Sequence, residues 1–221
     1  MARDDERLNR ASQAPIVGGL PDAPGISAAM RLTPGLGMHL RGLADELLVN
    51  DFPGATLSRE ERELLATSVS AANDCFFCMD SHGAHATAIA RRSGSPTPIA
   101  IIEDLKVGVA DRLDPRMRAL RDIARTVARR ALDLTLDDVE VARSAGATDG
   151  DVQLAVLIAA AFSMYNRMVD GFRARTAPVI EAYDRRASEI AESGYAAPSS
   201  LGPQPAAAEN RPAGTAAGRR S

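Results

Sequence analysis

Cys75 and Cys78, separated by Phe76 and Phe77, are the two cysteines of a 221-residue chain. So close a pair cannot staple distant parts of a fold, and in a reducing cytosol it is more often catalytic or metal-binding than structural. Where the first Cys of such a pair opens a helix, unpaired backbone N–H groups and the helix dipole favour a thiolate, the nucleophilic form. Oxidation of one sulfur to a sulfenic acid then invites attack by the other, closing a disulfide. His82 follows Cys78 by four residues and Cys75 by seven. On one helix all three side chains therefore share a face, and the imidazole can exchange a proton with a thiol. Glu63 sits inside the apolar run of Leu64, Leu65, Ala66 and Val69, so it is expected to be drawn inward. An inward Glu beside His82 is a proton relay. Cys78, Cys75, His82 and Glu63 are thus the candidate catalytic residues. Two other readings stay open: Glu63 as part of an exposed polar face, and Cys75, Cys78, His82 and His85 as four zinc ligands.

The elements that must position these groups are legible from helix punctuation. Leu40, Leu43, Leu47 and Leu48 predict a helix over His39–Val49, stopped by Asn50, Pro53 and Gly54. Ser58 with Glu61 is a capping box opening a helix to about Ala72, broken by Asn73 and Asp74. A helix from near Cys75 to Arg92 follows, closed by Gly94 and Pro96, with Asp74 expected as its cap. Pro98 is expected to start a short helix to Asp104, and Asp114 with Pro115 a longer one to Arg130. Thr135 with Asp138 and Thr148 with Asp151 repeat the capping pattern, and Gly146 ends the element between them. The helix over Asp149–Asp170 is apolar on every side across Leu154 to Phe162, which predicts enclosure by other helices or by another subunit. A last helix is expected over Pro178–Glu192.

Composition agrees with an all-α fold: Leu, Ala, Val, Ile and Met are plentiful, aromatics make up 4% and Trp is absent. The length suits one domain with its own core. Residues 1–22 and the Pro/Ala/Gly-rich tract 196–221 are expected to be disordered, leaving 23–195 as the helical domain. The net charge of −3 is spread as mixed signs, which disfavours a nucleic-acid or anionic-membrane partner. The row Arg116, Arg118, Arg121, Arg125, Arg129 and Arg130 reads as a solvated helix face. The charged residues of Met1–Asn9 do not form a signal peptide, and the apolar run Leu154–Tyr165 is shorter than the roughly 20 residues a bilayer requires. A cytoplasmic protein is expected. His39, Asn166 and Arg167 are read as structural or surface residues.

Together, Glu63-Leu64-Leu65-Ala66, Ser70-Ala71-Ala72-Asn73-Asp74-Cys75-Phe76-Phe77-Cys78 and His82-Gly83-Ala84 resemble the AhpD-like alkylhydroperoxidase branch of the carboxymuconolactone decarboxylase superfamily, in its peroxidase-related subgroup. The shared pattern is a Glu twelve residues before a CxxC and a His four residues after it. Leu113 to Arg116 and Asn166 to Gly171 extend the likeness, which spans about Leu43 to Gly171. Phe77 stands where some relatives carry a second His. The resemblance implies a helical-bundle subunit that assembles as a trimer or hexamer. It also implies a thiol peroxidase acting on H₂O₂ or organic hydroperoxides, with no metal, haem or flavin required. Cys78 would attack the peroxide, Cys75 would resolve the sulfenic acid, Glu63 and His82 would relay the proton, and a dithiol or protein reductant would reopen the disulfide. A carboxymuconolactone decarboxylase-like enzyme and a non-enzymatic redox sensor or zinc protein are the alternatives.

Overall fold

The helix starts marked in the sequence at Ser58, Asp114, Thr135 and Thr148 close as true caps. Ser58 Oγ accepts from the Glu61 amide at 3.2 Å while the Ser58 amide donates to Glu61 Oε2 at 2.8 Å. Thr135/Asp138 and Thr148/Asp151 form the same reciprocal boxes, and Asp114 caps the Met117 amide ahead of Pro115. Such caps satisfy orphan N–H groups, each worth roughly 1 kcal/mol.

The computed structural model describes residues 13–94, 99–174 and 181–197. It is all-α, with nine α-helices and no strand among the described residues. The helices are α1 (Ile26–Leu32), α2 (Pro34–Leu48), α3 (Arg59–Ala72), α4 (Phe76–Ser93), α5 (Ile99–Lys106), α6 (Pro115–Arg130), α7 (Leu136–Ser144), α8 (Asp149–Gly171) and α9 (Glu181–Ser193). One 3-10 turn, Ala131–Asp133, joins α6 to α7. The expected helix starts at Pro98 and Pro178, the stop at Pro96, and the terminal tracts to residue 12 and from residue 198 lie outside the described residues.

The hub is α3, buried from Arg62 to Ala71 and packed against α4, α5, α6 and α8. Leu65, Leu120, Ile123, Leu154 and Ile158 are wholly enclosed around it. Each contributes roughly 1.5–3 kcal/mol by leaving water. On the other side of α4 lies α9, so the two cysteines sit between the hub and the C-terminal helix.

Several expectations change. Helix α1 has no counterpart in the sequence reading, since seven residues between Gly25 and Thr33 give too short a period to stand out from their Pro/Gly surroundings. Helix α2 begins five residues before His39, at Pro34 in the first helical position. Gly35 and Gly37 obscure its pattern, yet Gly37 is required: a Cβ there would lie 2.2 Å from the Met30 carbonyl oxygen, where α1 crosses α2. Cys75, not Asp74, is the N-cap of α4, and Asp74 takes a left-handed φ of 55°. The arginine row of α6 is not simply solvated: Arg116 bonds Glu61 and reaches Asp151, and Arg121 is buried and donates to the Gly108 carbonyl.

Helix α8 as a whole is long and apolar enough to cross a membrane by length and composition, a test that core helices also pass, while its continuous apolar run, Leu154–Tyr165, is shorter than a bilayer requires. One face, Leu154, Ala155, Ile158, Ala159 and Phe162, is interior to the bundle. The chain does not enclose the helix on every side, because Leu157, Ala160 and Met164 are exposed along a second stripe.

Asp151 joins the start of α8 to the strand-like approach to α3. Its buried carboxylate accepts from the Thr56 amide (2.6 Å), Thr56 Oγ1 (2.9 Å), the Leu57 amide (3.0 Å) and the Thr148 amide (3.1 Å). Burial alone would raise its carboxyl, but these N–H and O–H donors outweigh burial and hold it below the usual range. Asp151→Ala leaves the Thr56 and Leu57 amides unpaired, and urea unfolding should show a loss of about 3 kcal/mol. An unchanged midpoint would mean that water replaces the carboxylate at no cost.

Candidate active site

The turn between α3 and α4 delivers the cysteines. Asn73, the C-cap of α3, donates from Nδ2 to Asn166 Oδ1 at 2.9 Å and to Ser163 Oγ at 3.0 Å. Asn166 is fully buried and donates in turn to Ser70 Oγ at 3.1 Å. Its structural role is therefore to lock the turn, and Arg167 donates to the Ser163 carbonyl of its own helix at 2.9 Å. The Cys75 amide donates to the Ser70 carbonyl at 3.0 Å. His39 is exposed.

Cys75 and Cys78 are both free and buried. The Cys75 thiol donates to Cys78 Sγ at 2.7 Å. Burial pushes the Cys75 thiol up, and the hydrogen bond to Cys78 and the charge of Asp170 push it the same way. The helix start therefore does not favour a thiolate at Cys75, contrary to expectation, because desolvation outweighs the dipole. Retaining its proton, Cys75 directs it at the Cys78 sulfur.

Phe77 closes this side. Its ring packs on Tyr183 with centroids 5.5 Å apart and lies flat against Gly25, where a Cβ would come within 2.1 Å of the ring. Gly25 has a φ of 50°, so both backbone and space demand glycine there.

Glu63 is drawn fully inward, 1% exposed, as the apolar flanks predicted. Burial would raise its carboxyl, but hydrogen bonds and charge from His82 and His85 bring it down to about 2. Being ionised, it accepts from His82 Nδ1–H at 2.7 Å and from the Tyr195 hydroxyl at 2.6 Å. The tautomers follow from the network. His82 keeps Nε2 free as an acceptor. The Tyr195 oxygen accepts from His85 Nδ1–H at 3.0 Å, and His85 Nε2 accepts from Ser81 Oγ at 3.4 Å. Phe162 of α8 meets the His82 ring edge-on at 4.7 Å and fixes its plane.

Sequence reading missed Tyr195. Its signal is faint: one aromatic just past Gly194, in a tract otherwise poor in large side chains. It is held by its own amide, which donates to Asp45 Oδ1 at 2.6 Å. Burial and the Glu63 charge push the phenol well up, so it remains a donor.

The structure does not assemble the zinc set of Cys75, Cys78, His82 and His85. The ligand atoms that fall within 4.8 Å of one another are those of Glu63, His82 and His85. With Tyr195 they are mutually hydrogen-bonded, which satisfies them as a proton network.

Cys78, His82 and Tyr195 line one cavity of about 260 Å³. The arrangement offers a buried dithiol, an imidazole oriented by a carboxylate, and space for a small substrate beside both.

Residues 40–126 match the carboxymuconolactone decarboxylase family. No curated protein matches the chain. Among solved structures, the chain is similar to an uncharacterized peroxidase-related protein from Silicibacter sp. TM1040. They share 25% identity over 79% of this chain and 93% of that one, with a TM-score of 0.60. It is also similar to an alkylhydroperoxidase AhpD core, a peroxidase-related protein from Ralstonia eutropha JMP134. Here identity is 25% over 85% of this chain and 88% of that one, with a TM-score of 0.61.

Two acid sensitivities follow from the network. Burial lowers the His85 pKa despite Glu63. The unfolded chain therefore binds a proton more readily, and stability falls as pH drops below about 6.5. The depressed Glu63 carboxyl contributes stability that is present above about pH 4.5 and lost on acidification toward 2. Thermal unfolding midpoints of wild type and Glu63→Gln between pH 7.5 and 3 should separate the two, the variant losing the lower decrement only. Parallel curves would contradict an ionised Glu63.

Proposed function

The chain carries an AhpD-like domain of the carboxymuconolactone decarboxylase family, and on that premise we propose that it is a thiol peroxidase reducing H₂O₂ or organic hydroperoxides. The observation that carries this reading is the pairing of two free sulfurs at 2.7 Å with an imidazole held by a buried carboxylate at 2.7 Å, Cys78 and His82 lining one cavity.

The Cys78 thiolate attacks the distal peroxide oxygen, the O–O bond breaks, and the sulfur becomes a sulfenic acid while water or an alcohol leaves. His82 Nε2 takes the thiol proton and returns it to the departing oxygen, the general base and then general acid role that an imidazole with one free ring nitrogen can fill. Glu63 holds the His82 tautomer, and Tyr195 and His85 hold Glu63. The Cys75 thiol then attacks the sulfenic sulfur, expelling water and closing the disulfide. An external dithiol or reduced protein reopens it by exchange, taking up the two electrons' worth of oxidation. Such a cycle belongs in a reducing compartment, the cytoplasm.

Fully reduced protein given one equivalent of peroxide should lose two thiols, and the peptide holding Cys75 and Cys78 should lose two mass units. Cys78→Ser should abolish consumption, whereas Cys75→Ser should turn over once and leave a trappable sulfenic acid. If the thiols stay unreactive, the peroxidase reading falls. The decarboxylase-like alternative needs no disulfide and survives that outcome.

Self-association as a trimer or hexamer is part of the same proposal, supported by the exposed stripe Leu157, Ala160 and Met164 on α8. Light scattering coupled to gel filtration should report a mass several times that of the 23.3 kDa chain, falling in a Leu157→Glu, Met164→Glu double variant. A monomeric wild type rejects this part.

A further inference from the structure

The cavity beside Cys78 is far larger than the smallest peroxide needs. Its volume of about 260 Å³ compares with roughly 30 Å³ for one water, so H₂O₂ leaves most of it unfilled. Its size falls just short of the range that holds small organic ligands, about 300–1,000 Å³. Most of the wall is apolar: Pro24, Ile26, Met30, Phe77, Phe162 and Ile190. The charged lining is lopsided, with Arg41, Arg185 and Arg186 against the single acid Glu189.

These charges are not equally available. Arg186 donates to Glu189 at 3.0 Å and to the Tyr195 carbonyl at 3.4 Å. Arg185 is exposed to solvent. Arg41 is half-buried and, among the described residues, makes no ion pair or hydrogen bond. The carboxylate one helical turn along α2, Asp45, is engaged by the amides of Tyr195 at 2.6 Å and Ala196 at 2.9 Å. Burial, then the charges of Arg186 and Arg31, press the Arg41 guanidinium below its ordinary value. A guanidinium that is partly desolvated, repelled by its neighbours and facing an apolar chamber lacks an anion.

We infer that Arg41 anchors the carboxylate of an amphipathic substrate, whose apolar body fills the cavity and whose hydroperoxide group reaches Cys78. The inference rests on the peroxidase reading and narrows it: the substrate is a carboxylated organic hydroperoxide, such as an oxidised fatty acid, rather than H₂O₂. Guanidinium suits the task because its planar fork bonds a carboxylate in two places.

Binding and turnover test the subsite separately. Calorimetry should show decanoate binding to reduced protein at least tenfold more tightly than decanol. Arg41→Gln should lose tenfold or more of the decanoate affinity, with part of it restored in Arg41→Lys, since one charge-assisted contact is worth about that factor. In turnover, the ratio of kcat/KM for linoleic acid hydroperoxide to that for its methyl ester should fall about tenfold in Arg41→Gln. Equal binding of decanoate and decanol, no binding of either, or indifference to Arg41→Gln overturns the anion subsite. Decanoate binding that depends on Arg41, with no peroxide consumed, instead defeats the peroxidase reading and leaves the subsite standing.

Discussion

A carboxylate wholly enclosed by protein is affordable only if its oxygens are filled, and Glu63 is the enclosed carboxylate around which this structure is arranged. It stands on the most buried helix of the bundle, so no water can serve it. One oxygen takes the His82 ring N–H and the other the Tyr195 hydroxyl. These two donors come from opposite ends of the architecture, one on α4 and one beyond α9. Satisfying Glu63 thus requires α3, α4 and the C-terminal segment to meet, and α4, α9 and Tyr195 all contribute to the cavity wall. The same two bonds give His82 a single tautomer and leave its second nitrogen available for chemistry.

The dithiol depends on a different constraint, the shape of one turn. Asn73 and Asn166 pin the end of α3 to α8, Asp74 absorbs the reversal in a left-handed conformation, and Cys75 becomes the N-cap of α4. The consequence is an unequal pair. Cys75 is deeply desolvated, near Asp170, and donates its proton to its neighbour, whereas Cys78 lines the cavity. Which sulfur faces the cavity is therefore a matter of packing rather than of order in the motif.

The C-terminal segment links recognition to chemistry. Asp45 on α2 ties down the backbone of Tyr195 and Ala196, which places the Tyr195 hydroxyl on Glu63. The same engagement removes Asp45 as a partner for Arg41, one turn earlier on that helix. A residue that completes the proton network and one that faces the substrate chamber are in this way coupled through a single carboxylate.

Much of the local layer was written in the sequence, although α1, the start of α2 and the Cys75 cap of α4 were not. Capping boxes at Ser58, Thr135 and Thr148, the Asp114-Pro115 start and the Gly94 stop are all short-range signals, because caps and left-handed stops are satisfied within four residues. The inward placement of Glu63 was also legible, since its neighbours Leu64, Leu65 and Ala66 leave its helix no polar face. So was the shared face of Cys78 and His82, which line one cavity as helical spacing predicts, whereas Cys75 is the N-cap and does not line it. Tertiary structure decided what depends on contacts between distant segments. The burial that suppresses the Cys75 thiolate, the exclusion of both cysteines from the His82–His85 cluster, and the arrival of Tyr195 more than a hundred residues downstream of its partners have no local signature. Arg41, unpaired among the described residues, belongs to the same class, because a missing partner shows only once distant elements are packed around the charge.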